Sequence, residues 1–597
     1  MTTNEKQLTL LALSLLCSPL AHAQRLLPPE QKDSIIIKSN VIKVTDIHPT
    51  KGMVNNTLDI LSGQAAGVNV TSNGLDRMAM LNSVRVRGTT SITGGNDPLV
   101  LIDGVTSDVT TLSTIYPADI ESFRILKNAA ETAMYGSRGA SGVIEVKTKK
   151  GTGRGFQISY EGNVGFEKMY KRLQMLDATE YVATAKAMGV HCNNAGYNSD
   201  FYKAITHTGM VNNHYLAFSG GNPQSNYRAS FGVMDHNTII RDKDYGVFVA
   251  KIDVTQKAFN DKLTGDFGVF GSSFKNHDIF DTQMLFYSAS CQNPTYSSVT
   301  DNNGNWTKNE TAYKINPPVL LLDEKSDSKD LNFDAHIKLS YDFNPYWRIS
   351  TFGSYLYGST ENSQFCPTLV WAQGNVYRGE FKKEEWLSNL SLDFNKKIGV
   401  HNISAQLSGE YRTLRKTAFW VYAKGITSNV FGYENLGAAS TRPYGGTEST
   451  YEDQSLASVM GSVTYSLKDR YSLSVNARAD GSSMVGDDHT WGFFPSVSLS
   501  WDLKKESFLA NAKHLSLLKL HTGIGQAGNL GGISAYTTMN TVSQTGIVPV
   551  KSSPTVTLGT VRNNNPDLKW ETKTTFNIGA DLGFFANRLM LTAEYYY

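Results

Sequence analysis

Few residues in this sequence stand at a spacing that catalysis or metal binding would require. No HExxH, no CxxC pair and no GxSxG occurs, and the 12 histidines are scattered along the chain. Asp103 and Glu121 come nearest to a carboxylate pair, but the blocks around them suggest no pocket, and structural hydrogen bonding is the simpler role. Asp301-Asn302-Asn303-Gly304-Asn305 carries oxygen ligands of the kind a Ca²⁺ loop uses, yet its glycine is misplaced for an EF-hand. It reads as part of a long polar loop. Gly136, Gly139 and Gly142 could be imagined around a phosphate, but no GKS/T or GxGxxG follows a strand in the required way. They are read as permitting tight turns and close backbone approach. In Val84-Arg85-Val86-Arg87 the alternation puts the valines on one face of a strand and the arginines on the other. The valines suit a small core, and Arg85 and Arg87 suit either a polar wall with acidic partners or plain solvent. No enzyme and no cofactor is expected from these residues.

The elements that must hold them are set by composition and period. The chain has 597 residues, with Lys+Arg 56 against Asp+Glu 54 and a net charge of +2. That balance leaves no basic footprint for nucleic acid and no polybasic membrane patch. Charged residues are only 18% while aromatics reach 11%, with 29 Tyr and 51 Gly, and mean hydropathy is −0.29. A soluble α/β enzyme carries more charge and fewer tyrosines. Transmembrane β-barrels fit better, because lipid-facing and lumen-facing residues alternate and cancel in the average. No apolar run is long enough for a helical span. At the start, Lys6 precedes the apolar run Leu8–Leu16, and Ala21-His22-Ala23 precedes Gln24. This reads as a signal peptide cleaved between Ala23 and Gln24. Cys17 raises lipoprotein processing, but Leu16 stands where that chemistry wants a small residue. Cys192, Cys291 and Cys366 are too scattered for a disulfide framework.

From about 46 to 150 the pattern is mixed, with a helix over Asn56–Gln64 and strands at Val68–Thr71, Ser83–Arg87 and Pro98–Asp103. A helix-like segment, Ile125–Ala133, leads to a further strand at Gly142–Thr148. After Gly151 apolar residues recur every second position, as in Phe156, Ile158 and Tyr160, in Phe333, Ala335, Ile337 and Leu339, and in Tyr471, Leu473 and Val475. About fifteen such runs follow, each near the roughly 9–11 residues a tilted strand needs to cross a bilayer. Very short connections such as Leu467-Lys468-Asp469-Arg470 alternate with long polar ones such as Cys291–Asp330. A soluble β-sandwich would have tight loops at both ends, so the barrel is preferred.

Residues 84–151 carry a more specific signal. Val84-Arg85-Val86-Arg87-Gly88 precedes Leu101-Ile102-Asp103-Gly104, and Ala133-Met134-Tyr135-Gly136-Ser137-Arg138-Gly139-Ala140-Ser141-Gly142 follows. In this order they resemble the plug of SusC/RagA-type TonB-dependent outer-membrane transporters. Downstream, Arg478-Ala479-Asp480-Gly481, Gly492-Phe493-Phe494-Pro495, Gly525-Gln526-Ala527-Gly528-Asn529 and Asn565-Pro566-Asp567-Leu568-Lys569-Trp570 are similar to barrel blocks of the same family. The resemblance implies an α+β plug domain followed by an antiparallel transmembrane β-barrel. Its expected organisation is a signal peptide at 1–23, an N-terminal segment at 24–45, a plug at 46–150 and barrel from 151 to 597. The structural signature of the plug would be Arg85, Arg87, Gly88, Asp103, Gly104, Tyr135, Gly136, Arg138, Gly139 and Gly142. Substrate-binding residues cannot be read.

The resemblance also implies the outer membrane of a Gram-negative, Bacteroidota-like cell, with outer-membrane lipid around the barrel. A TonB box of extended chain would add as a strand to TonB, energised by ExbB/ExbD, and Ser34-Ile35-Ile36-Ile37 is the candidate. An edge strand of the plug would look the same. A SusD-like surface lipoprotein is the implied partner, with a glycan or a peptide as cargo. A siderophore or cobalamin receptor shares the plan, and a non-transporting barrel fragment is the third reading. The family barrel has 22 strands, so about fifteen lead to the expectation that the sequence is cut short at its C-terminal side.

Overall fold

A computed structural model describes residues 41–43, 57–71, 84–92, 95–153 and 155–597, less 280–281, 304–306, 308–321, 444 and 551–552. The expected cleavage between Ala23 and Gln24 and the candidate TonB box Ser34–Ile37 lie outside the described residues.

The first elements form a small α+β unit. Its strands are β1 (Val41–Lys43), β2 (Val68–Val70), β3 (Val84–Val86), β4 (Leu99–Ile102), β5 (Val105–Ser107), β6 (Ile120–Leu126) and β7 (Val143–Thr148). Its helices are α1 (Thr57–Leu61), α2 (Val109–Thr114) and α3 (Ala129–Thr132), and a 3-10 turn runs over Ala133–Arg138. One sheet has the order β1-β6-β7-β4-β5, while β2 and β3 pair separately. Strand β4 (Leu-Val-Leu-Ile) is buried at all four positions, so it can only be central. It lies parallel to β7 and turns into β5 through Asp103 and Gly104, both at positive φ (51° and 93°). An Asp-Gly pair is what a two-residue hairpin of this hand needs.

One expected helix is corrected. Ile125 and Leu126 belong to β6, where they pair with Ile144 and Val143, and the helix begins only at Ala129. Sheet pairing on both sides of β6 outweighs the local helical preference of the segment. Strand β5 and helix α2 were not foreseen. Asp108 caps α2 by accepting from the Thr111 amide at 2.8 Å.

The large sheet is antiparallel throughout. It begins with β8 (Gln157–Glu167), β9 (Gly209–Gly221), β10 (Ser225–Asn237), β11 (Asp244–Ala258) and β12 (Leu263–Asp278). It continues through β13 (Lys325–Asp342), β14 (Trp347–Cys366), β15 (Asn375–Ile398) and β16 (His401–Ile426), with the short β17 (Ala439–Thr441) beside β16. Then come β18 (Thr447–Leu467), β19 (Tyr471–Ser482), β20 (Trp491–Asp502) and β21 (Leu515–Asn529). A separate hairpin, β22 (Thr541–Val550) and β23 (Ser553–Arg562), precedes β24 (Glu571–Phe584) and β25 (Leu589–Tyr596). Among the described residues the sheet is not closed: β8 and β25 end it, pairing with β9 and β24 alone.

The period-2 pattern becomes two faces. Phe267 and Val269, like Leu473 and Val475, stand exposed on the outer face. Ser350, Ser391, Ser408, Ser458, Asn476 and Ser496 are buried on the inner one. The longest strand, β16, has 26 residues, about 85 Å at roughly 3.3 Å per residue. That is well beyond a hydrocarbon core of about 30 Å, even for a tilted strand. No described helix is long and apolar enough to cross a membrane. Turns at one end of the sheet are short, such as Gly399-Val400 between β15 and β16. At the other end the connections are long and hold α4 (Ala178–Ala187), α5 (Phe201–Ile205) and α6 (Thr282–Cys291). Cys192, Cys291 and Cys366 are free thiols.

Candidate functional site

The small unit sits against the inner face of the large sheet and is held there in two different ways. Along β9–β12 the contact is built around an apolar cluster, with buried polar pairs beside it. Leu112, Ile115 and Tyr116 of the α2 region share one buried cluster with Tyr215, Ala217, Val249 and Phe270 of the wall. Tyr116 stacks on Tyr215 with ring centroids 4.6 Å apart. Burial and the nearby Glu161 push the Tyr116 phenol up to about 12, so it stays neutral. Beside it Asp119 is 2% exposed and accepts from the Tyr215 hydroxyl, from Ser230 at 2.7 Å and from Arg228 at 3.3 Å. A carboxylate buried so deeply needs all of these donors.

The second kind of contact is ionic and extends from β11 to β25. Asp103 accepts from the Thr148 amide (2.9 Å) and hydroxyl (2.6 Å) and pairs with Lys251 of β11 at 3.2 Å. Burial works against its charge, but Lys251 and the two Thr148 donors hold the carboxyl below its ordinary value. Lys251 also binds Asp253, its neighbour on the same face of β11. Arg87, at φ 58° just before Gly88 at φ 86°, meets Glu594 at 2.8 Å, and Lys127 meets the same carboxylate at 3.1 Å. Arg85 does not reach the wall: it turns back to Asp97 within the small unit. Tyr135 donates internally to Glu145, which also takes Arg124 at 3.1 Å.

The third mooring is the 3-10 turn. Arg138 reaches Glu410 of β16 at 2.6 Å and Thr106 of β5 at 2.8 Å. Glu410, Ser458 and Asp480 are direct cross-strand partners on β16, β18 and β19. Arg478 ties that row together through Asp480 (2.6 Å), Ser458 (2.9 Å) and Glu410 (3.4 Å). The Ser137 amide donates to Asp480 at 3.1 Å. Gly136 makes this approach possible, since a Cβ there would collide with Asp480 Oδ2 and Arg478 Nε. At Gly139 a Cβ would lie 2.5 Å from the Thr132 carbonyl, and at Gly142, φ 91°, 2.7 Å from Val86. Such pairs fix geometry more than they add stability, because desolvation offsets much of the attraction, whereas removing one partner strands a buried charge.

Two cavities flank this last mooring. An outer one of about 310 Å³ lies toward the long loops, among Asp97, Glu385, Arg412 and Ser455. An inner one of about 760 Å³ lies toward the short turns, among Glu145, His336, Asn389 and Ser408. Sequence reasoning brought out Arg87, Asp103 and Arg138 of the small unit but missed their wall partners Glu594, Lys251 and Glu410. Each of the three is a charge at an inward position of an alternating run, and that is the signal that could have found them. Asp103 and Glu121 both line the inner cavity, but Asp103 is committed to Thr148 and Lys251. No group of three or more metal-ligating side chains occurs among the described residues.

Comparison with known proteins agrees with this architecture. The family model described as TonB dependent receptor-like, beta-barrel matches residues 253–597, and the TonB-dependent Receptor Plug Domain model matches residues 32–143. The TonB-dependent receptor SusC of Bacteroides thetaiotaomicron is 30% identical over 583 residues, covering 90% of this chain and 57% of SusC. TonB-dependent receptor P3 of Formosa agariphila is also 30% identical, over 557 residues, covering 90% of this chain and 54% of its own length. The chain therefore spans about half the length of the curated relatives it matches. Among solved structures, the RagAB peptide transporter superposes with a TM-score of 0.79 at 20% identity, covering 93% of this chain and 67% of that one. The ferric citrate transporter FecA, unliganded, gives 0.56 at 11% identity, covering 93% and 68%. The fold is shared with these solved structures, and the chain belongs to the TonB-dependent receptor family.

Proposed function

We propose that this protein works as a TonB-dependent importer in the outer membrane of a Gram-negative cell, carrying an oligosaccharide or a peptide inward. The observation that carries the reading is the plug itself, seated on the inner face of the sheet with a cavity on each side of its Arg138 mooring. A surface lipoprotein of the SusD type is the partner that would present the cargo at the long-loop end. TonB, energised by ExbB/ExbD, would take Ser34–Ile37 as an added strand. Among the described residues three pairs join β1 to β6, beginning at Val41↔Arg124, so a pull transmitted to β1 acts on a short sheet edge.

The test is a chromosomal deletion in the native strain, scored by outer-membrane fractionation and by growth on single polysaccharides, on peptides and under iron limitation. Loss of growth on one polysaccharide or on peptide, reproduced by deleting codons 34–37 alone, is the expected result. Loss of growth only under iron limitation would favour a siderophore or cobalamin receptor. No phenotype together with no detectable outer-membrane protein would refute transport.

A further inference from the structure

The two cavities lie on the same side of the plug, and their linings meet at one level. On β15 Lys383 and Glu385 line the outer cavity while Leu387 and Asn389 line the inner one. On β16 the change falls between Arg412 and Glu410, on β18 between Leu456 and Met460, and on β19 between Ser482 and Arg478. Four neighbouring strands thus pass from one cavity to the other across the row Glu410–Ser458–Asp480. Two residues line both cavities, Thr106 and Arg138, and they are hydrogen-bonded to each other at 2.8 Å. From Arg138 the contact continues to Glu410 at 2.6 Å. The bridge between the two cavities at this level is the chain Thr106–Arg138–Glu410, running from plug strand β5 to the wall, with the Ser137–Asp480 and Met134–Arg478 contacts beside it.

The opposite wall is different in kind. Strands β9–β11 contribute to neither lining, and along β9–β12 the plug is sealed by Tyr116, Tyr215, Val249 and Phe270, with the buried pairs Asp119–Arg228 and Asp103–Lys251 beside them. Opening a route on that side would expose buried apolar surface, whereas opening one at Arg138 requires only that a polar bridge part between spaces that already exist.

We propose that the passage through this protein runs along the β15–β19 wall and that Arg138 is the positioning residue that closes it, its guanidinium spanning from Thr106 to Glu410. The inference rests on the importer reading above and specifies where in the lumen the cargo moves. Glu410 keeps Arg478 as a partner at 3.4 Å when Arg138 is removed, so Arg138→Ala opens the partition without stranding that carboxylate.

The experiment is planar-bilayer conductance of the purified full chain, comparing wild type, Arg138→Ala and, as a control on the sealed wall, Tyr215→Phe. The Tyr215 hydroxyl donates to Asp119 across the plug-to-wall contact with no cavity beside it, and Asp119 keeps Ser230 at 2.7 Å and Arg228 at 3.3 Å when that hydroxyl is removed. The expected result is a sustained current in Arg138→Ala under voltages at which wild type and Tyr215→Phe remain sealed. Current in both variants means general loosening of the plug and overturns the assignment. So does a sealed Arg138→Ala whose current rises when concentrated urea unseats the plug. A wild-type chain that gives no current even in urea overturns the importer reading itself, which separates the two failures.

Discussion

Replacing Gly136 with alanine tests the mooring at its most constrained point. Gly136 stands at φ 56°, ψ −135°, a region that L side chains avoid, and holding alanine there costs about 1–3 kcal/mol. The new Cβ would also collide with Asp480 Oδ2 and Arg478 Nε. Both are side-chain atoms and could swing away elsewhere, but Asp480 is fully buried and Arg478 is 5% exposed. Moving either breaks their 2.6 Å pair, moving Asp480 also breaks the Ser137 contact, and a broken buried pair costs about 3–5 kcal/mol. Partial relaxation leaves at least about 3 kcal/mol, more than a hundredfold in the undocked population at about 1.4 kcal/mol per tenfold. Limited proteolysis of the plug in detergent reads that population when opening is fast relative to cleavage. The cleavage rate of Gly136→Ala should rise about a hundredfold or more. In an Asp480→Ala background the main obstacle is gone, and the further effect of Gly136→Ala should shrink to the backbone part, about 1–3 kcal/mol. An unchanged cleavage rate, or a penalty of equal size in both backgrounds, would refute the reasoning.

The other contacts give shorter tests. Asp103 has a folded pKa below its ordinary 3.8, so its carboxylate stabilises the docked plug above about pH 4 and that contribution disappears as pH falls further. Asp103→Asn should therefore loosen the plug at neutral pH, with the gap to wild type narrowing as proteolysis by an acid-stable protease is carried toward pH 3. Asp119→Ala leaves Arg228 without its acidic partner, and plug release should become easier by about 3–5 kcal/mol, measured as a lower urea midpoint of plug fluorescence. Tyr215→Phe removes one of several donors to Asp119 and should cost less, about 1–3 kcal/mol in the same titration.

Much of the architecture was written in period and order. Alternation after Gly151 gave the strands because a sheet with one apolar face and one polar face needs no more than that pattern to define its faces. Asp103 and Gly104 were read only as part of the plug signature, and their role as the turn from β4 to β5 came from the structure. The helix expected over Ile125–Ala133 failed for the complementary reason: whether Ile125 and Leu126 extend or coil depended on β7 being present to pair with them. Strand length was also misread, since alternation says where a strand is polar and apolar but not how far it rises beyond the bilayer.

What the sequence determined by itself was the family, the two kinds of structure and the glycines that the backbone requires. Only the tertiary structure decided which charges meet. Arg85 on β3 and Arg87 just past its end sit two apart, yet Arg87 finds Glu594, more than five hundred residues away, and Arg85 turns back to Asp97. Arg138 looked like one residue of a glycine-rich string and proved to span two cavities. Pairings of that kind depend on strand register and on how the plug is rotated against the sheet. Both are fixed by the packing of the whole molecule, so no local run of residues records them.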